Sequence, residues 1–141
     1  MKKIRSSVVF LSIVLGSMAQ SPSFKTYMNP VIQGDHPDCT VTKIGDSFYT
    51  TGSSFNVTPI IYRSTNLVHW EAIAQPVSAN WSGFGDNAGG GCWGGQMVLH
   101  NGKYWHYFSR GNTMHFTQAD SPEGPWSMPV NPYFFLAVFR R

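Results

Sequence analysis

Asn101-Gly102-Lys103-Tyr104-Trp105-His106-Tyr107-Phe108-Ser109 joins a two-residue turn signal to a run of strand length. Asn-Gly favours a tight hairpin because both residues tolerate positive φ in a type I′ turn. The run behind it is rich in aromatic residues, which suit a pleated, half-buried surface. Fifty-six residues earlier stands Gly45-Asp46-Ser47-Phe48-Tyr49, a similar pattern in the same order. Phe48 and Tyr104, Tyr49 and Trp105, Ser53 and Ser109, and Trp70 and Trp126 all keep that offset. Such self-similarity marks one supersecondary unit used twice.

Working outward, each unit reads as short antiparallel strands. In the first, Cys39 to Ile44, Phe48 to Ser53, Ile60 to Ser64 and Trp70 to Ile73 are the strand-like runs. In the second they are Trp93 to His100, Lys103 to Ser109 and Asn112 to Ala119, with a turn at Ser121-Pro122-Glu123-Gly124-Pro125 before Trp126. Four short strands in about fifty residues describe a propeller blade. The fold class is therefore all-β, with two four-stranded units across residues 20–130. Trp70 and Trp126 close the units alike and are expected in the core. Residues 131–141 fit neither unit. Tyr133 to Phe139 is an unbroken apolar run, read either as a truncated or frame-shifted tail or as a strand packing on the second unit.

Composition removes other classes. Only 12% of residues are charged, against about 25% in ordinary domains. Ten Phe, six Tyr and five Trp exclude a disordered charged tail. No heptad pattern supports a coiled coil. Residues 1–19 carry Lys2, Lys3 and Arg5, a short apolar stretch from Val8 to Leu15, and Ser17-Met18-Ala19. This reads as an export signal cleaved after Ala19, with a secreted or periplasmic product and no membrane span afterwards. The signal holds three of the ten basic residues and none of the seven acidic ones, so the mature part is neutral. Nucleic-acid binding thereby loses its electrostatic basis. A neutral, aromatic-rich exported protein suits an uncharged ligand such as a sugar. An oxidising compartment also permits a Cys39–Cys92 disulfide, the alternative being two buried thiols. The five histidines show no metal-ligand spacing. No cofactor is expected, and a metal ion in a propeller channel is left open.

With the units in place, the residues resemble a known family. Asn29-Pro30-Val31-Ile32, His36-Pro37-Asp38, Ile61-Tyr62-Arg63-Ser64 and Leu67-Val68-His69-Trp70 in order, with the two repeated segments above, resemble glycoside hydrolase family 43, the β-xylosidase and α-L-arabinofuranosidase family. The resemblance implies a five-bladed β-propeller, of which this chain holds about two blades. It also implies hydrolysis of xylose- or arabinose-containing carbohydrate with inversion. One carboxylate then activates water while a carboxylic acid protonates the leaving oxygen, the two lying ~6.5–9.5 Å apart.

By position, Asp38 matches the family's general base. Read alone, an Asp after Pro37 also serves as a turn cap. Phe55, Trp93, His36 and Asp86 are the candidate substrate contacts, aromatic faces stacking on sugar C–H surfaces. Asp46, Glu71, Asp120 and Glu123 sit in or beside turns and are expected in solvent. Asp86 lies in the Gly-rich stretch Gly83 to Gly95. The chain therefore offers a base without an evident acid, and a fragment without hydrolysis is expected. Cys39 and Trp93-Gly94-Gly95 depart from the family's usual Pro and Trp-Ala-Pro.

Overall fold

A computed structural model of the chain describes residues 26–55, 58–83 and 91–133. Residues 1–19, which carry the expected export signal, Asp86 and positions 134–141 lie outside the described residues.

Both turn signals close hairpins. Asn101 and Gly102 have φ of 49° and 74°, the double positive φ of a type I′ turn. Four strands follow in the first half: β1 (Thr40–Ile44), β2 (Ser47–Thr51), β3 (Ile61–Ser64) and β4 (Glu71–Ala74). They pair antiparallel in the order β1-β2-β3-β4. Three follow in the second: β5 (Trp93–His100), β6 (Lys103–Arg110) and β7 (Thr113–Ala119), in the order β5-β6-β7. The first hairpin pairs Ile44 with Ser47 at its turn, and the second pairs His100 with Lys103. The offset of the sequence repeat is therefore kept by the two hairpins.

The second sheet has three described strands, where four were expected. Val130 exchanges two backbone hydrogen bonds with Phe116, at 3.0 and 2.8 Å, and Ser127 N donates to Gln118 O at 2.8 Å. Residues 127–130 thus run beside β7 without forming a ladder. Pro125 precedes this stretch and Pro129 lies within it, and neither has the N–H a ladder needs.

Strand alternation decides what meets between the sheets. Along β6, Tyr104, His106 and Phe108 face the first sheet; Trp105 and Tyr107 face away. Tyr49 of β2, Ile61 of β3 and Met97 of β5 form one buried cluster, with Ile44, Ile73, Tyr104 and Trp126 against it. Val77, Cys92 and Phe108 form another, with Trp81 against it. Burying each large apolar side chain contributes roughly 1.5–3 kcal/mol. Trp126 sits in the core as expected. Trp70 does not: it is half-buried, donates its indole N–H to Leu67 O at 3.1 Å, and lines a surface groove. It precedes β4, the edge strand of the first sheet, where no second sheet covers it among the described residues.

Candidate active site

Pro37 and Asp38 stand just before β1. Asp38 has φ of 51°, a left-handed conformation that Asp adopts more readily than most residues. Its partners lie at the C-terminal end of β2. Ser53 N donates to Pro37 O at 2.9 Å. Ser53 Oγ donates to Asp38 Oδ2 at 2.7 Å. Gly94 N, in β5, donates to that same Ser53 Oγ at 2.7 Å.

The backbones approach closely here because glycine allows it. A Cβ at Gly52 would stand 2.4 Å from Pro37 O. One at Gly91 would stand 2.0 Å from Ser54 O. Ser54 and Cys92 exchange two 2.9 Å backbone hydrogen bonds, and Thr40 Oγ1 donates to Gly95 O at 2.5 Å. The segment 52–54 therefore leaves the Pro37 side and crosses to the second sheet. Asp38 sits where the two sheets are stitched together, and the residue is exposed to solvent.

Phe55 and Trp93 meet edge to face, with centroids 4.8 Å apart. Phe55 is 49% exposed. Trp93 adjoins Gly94 in the chain and Phe55 follows Ser53 by two residues, so both aromatics belong to the stitched region. His36 is committed locally: Nε2 lies 3.1 Å from Thr50 Oγ1, and its ring meets Tyr62 at 5.2 Å. Burial lowers its pKa against an opposing pull from Asp35, so the ring is neutral near pH 7. A groove of about 550 Å³ on its side is lined by His36, Cys39, Ile32, Val41, Leu67 and Trp70. Another, of about 300 Å³, is lined by Trp93, Gly94, Gly95, Tyr107 and Met114. Asp38 itself lines neither; its chain neighbours line the first, and the Gly94 held by Ser53 lines the second.

The other described carboxylates lie elsewhere. Arg63 binds Glu71 at 3.1 Å and Glu123 at 2.8 Å, and Lys103 binds Asp120 at 2.6 Å. The Ser121 hydroxyl, with its own backbone N–H and Arg63, holds Glu123 below the usual carboxylate range. A general acid requires the opposite shift. Asp86 lies outside the described residues. No group of three or more His, Cys, Asp or Glu is placed to hold a metal ion among the described residues. Cys39 and Cys92 are free, Cys39 exposed and Cys92 buried. Neither a disulfide nor a pair of buried thiols describes them. Cys39 lies against Gly52 on the β1 side, whereas Cys92 pairs with Ser54 on the other. Burial raises the Cys92 thiol pKa, with Arg110 opposing.

Ser53, Gly94 N and Gly52 were not singled out as site residues from the sequence. Ser53 did carry a signal, the offset it shares with Ser109. Ser109 Oγ donates to Trp93 O at 3.2 Å, so both serines grip the Trp93–Gly94 peptide, one at its N–H and one at its C=O.

Residues 27–136 match the family model described as glycosyl hydrolases family 43. A non-reducing end alpha-L-arabinofuranosidase of Bacteroides ovatus is 33% identical over 139 residues, covering 90% of this chain and 26% of that protein. A xylan 1,3-beta-xylosidase of a Vibrio species is 32% identical over 121 residues, covering 74% and 22%. Among solved structures, a mutant of the GH43 protein BlXynB of Bacillus licheniformis aligns with a TM-score of 0.66 at 28% identity, covering 74% of this chain and 24% of that one. GH43B of the Bacteroides ovatus xyloglucan locus aligns with a TM-score of 0.64 at 30% identity, covering 75% and 23%. The chain spans about a quarter of the length of these relatives.

Proposed function

The chain belongs to glycosyl hydrolase family 43, and from that membership we propose that it is the base-bearing part of an exported glycosidase acting on xylose- or arabinose-containing carbohydrate. Its two sheets are then two adjoining blades of a five-bladed propeller. Asp38 is the general base of an inverting hydrolysis, taking a proton from the water that attacks the anomeric carbon. The observation that carries this reading is the placement of Asp38: an exposed carboxylate at the sheet junction, bonded through Oδ2 to the buried Ser53. The general acid is assigned to the part of the enzyme outside the described residues: Glu71, Asp120 and Glu123 are taken by ion pairs, Asp46 sits in the turn between β1 and β2, and Asp35 stands three residues from Asp38 on the same segment. Taken alone, these 141 residues bind a sugar poorly and do not hydrolyse it.

A chimera tests the assignment. Residues 27–136 replace the matching segment of the Bacteroides ovatus relative, and turnover is measured on nitrophenyl arabinofuranoside and xyloside. Asp38→Asn is expected to lower kcat by roughly 10²–10⁴-fold, the usual worth of one acid–base group. Near-native turnover would reject Asp38 as base.

The exposed Phe55, set against Trp93, favours a second reading, a carbohydrate-binding remnant that works by stacking. It predicts that the 141-residue chain binds xylo- or arabino-oligosaccharides, that Phe55→Ala removes the binding, and that Asp38→Asn does not. A flat titration of the unmodified chain would reject it.

A further inference from the structure

We infer that Ser53 is the positioning residue for Asp38, and that it ties the carboxylate to the Trp93–Gly94 peptide of the second sheet. The inference rests on the reading of Asp38 as the base and adds to it how that base is aimed.

Ser53 is 4% exposed. Its hydroxyl has one proton. Gly94 N can only donate, so Ser53 Oγ must accept from it, and the proton is left to point at Asp38 Oδ2. The chain N–H to O–H to carboxylate has one polarity throughout, and each bond polarises the next. Asp38 Oδ1 has no bonded side chain among the described residues. One carboxylate oxygen is therefore held by Ser53 while the residue as a whole is exposed to solvent, as a base that takes a proton from water requires.

The far end of the chain is anchored as well. The Trp93–Gly94 peptide cannot rotate freely, because Ser109 Oγ binds its carbonyl while Ser53 binds its N–H. Ser53 N also holds Pro37 O at 2.9 Å, so the main chain of the Pro37-Asp38 segment is fixed by the same residue. The two equivalent serines of the repeat thus turn a peptide of the second sheet into the reference point for a carboxylate of the first.

The test has a geometric and a kinetic arm. In the 141-residue chain, NMR couplings about χ1 of Asp38 are expected to report one rotamer. Ser53→Ala should bring averaging at Asp38, with most other amide shifts unchanged. Should the alanine variant fail to fold, Ser53→Cys keeps the volume while weakening the donor, and the same averaging is expected. A single Asp38 rotamer in either folded variant would overturn the inference. In the chimera, Ser53→Ala should lower kcat by roughly 10–100-fold with KM within about twofold, the mark of a misaimed group and not of lost binding. Ser53→Thr, which keeps the hydroxyl, should recover most of the loss. In the Asp38→Asn background, Ser53→Ala should cost nothing further; an additional loss would show a role apart from Asp38 and overturn the inference. If Asp38→Asn leaves turnover intact, the base reading fails, and the rotamer measurement still decides the Ser53 contact.

Discussion

His106 shows what one residue costs the fold at low pH. It is fully buried in β6, with Nε2 3.3 Å from Thr51 Oγ1 and Nδ1 unpartnered. Burial depresses its pKa from 6.5 to about 3. Above 6.5 the ring is neutral in the folded and unfolded chains alike. Between 6.5 and 3 the unfolded chain takes up a proton that the folded chain refuses, so stability falls as pH falls, by about 1.4 kcal/mol per pH unit for one such group. Burial lowers the His36 and His115 pKa values too and adds to the same trend. The His106 share is isolated by comparison: urea midpoints of His106→Gln, from pH 6.5 down to 4.5, should lose about one proton's worth of slope. Parallel slopes would rule the assignment out. Gly52 is the other single position on which the site leans. Gly52→Ala drives a Cβ to 2.4 Å from a backbone oxygen that has no free side chain to swing aside. A loss of roughly 1–3 kcal/mol is expected, as for other overpacked positions. An unshifted thermal midpoint would mean that the Pro37 segment moves away at no cost.

Elements were legible in the sequence to the extent that they rest on local chemistry. Asn101-Gly102 could be placed because its turn demands positive φ at both residues, and the structure has it at both. All seven described strands fall within two residues of the runs read from apolar and aromatic patterning. The fourth strand of the second unit was misread because Trp126 was matched to Trp70, while Pro125 and Pro129 were not weighed as ladder breakers. Trp70 itself was misplaced for a related reason: a repeat fixes position in the unit, not what lies outside it. Asp38 was legible as a motif, yet Ser53 and Gly94 were not, because their contact joins residues 41 apart through a crossing that no local pattern encodes. The turn yields a direct check. Gly102→Ala puts a Cβ at φ of 74° with nothing nearby to clash, so its cost is conformational, roughly 1–2 kcal/mol. A loss of unfolding free energy of that size from urea titration, with the spectrum of β2 unchanged, is the expected result; no loss would mean the turn can relax to another type.

At the scale of the whole molecule, the two sheets share one interface, and among the described residues no further sheet lies on the outer face of the second. Trp105 and Tyr107 stack within 6° of parallel on that face, and Phe116 lies 5.2 and 6.1 Å from them. Tyr107 is 37% and Met114 46% exposed. In the 56-residue register Trp105 corresponds to Tyr49, which is buried between the sheets. The same position in the unit is thus fully buried once and half-buried once, and an exposed apolar patch beside it drives association or dye binding in water. The 141-residue chain should enhance the fluorescence of an anilinonaphthalene dye while folded, below any thermal transition. Replacing Tyr107 and Met114 together by Lys should remove most of that signal. Both side chains are already in contact with water, so the melting temperature should change little, as for surface substitutions that shift stability by about 0.5 kcal/mol or less. A signal unchanged by the double substitution would place the dye elsewhere, in the groove beside His36 above all. It would also mean that the stacked aromatics cover one another well enough to need no partner.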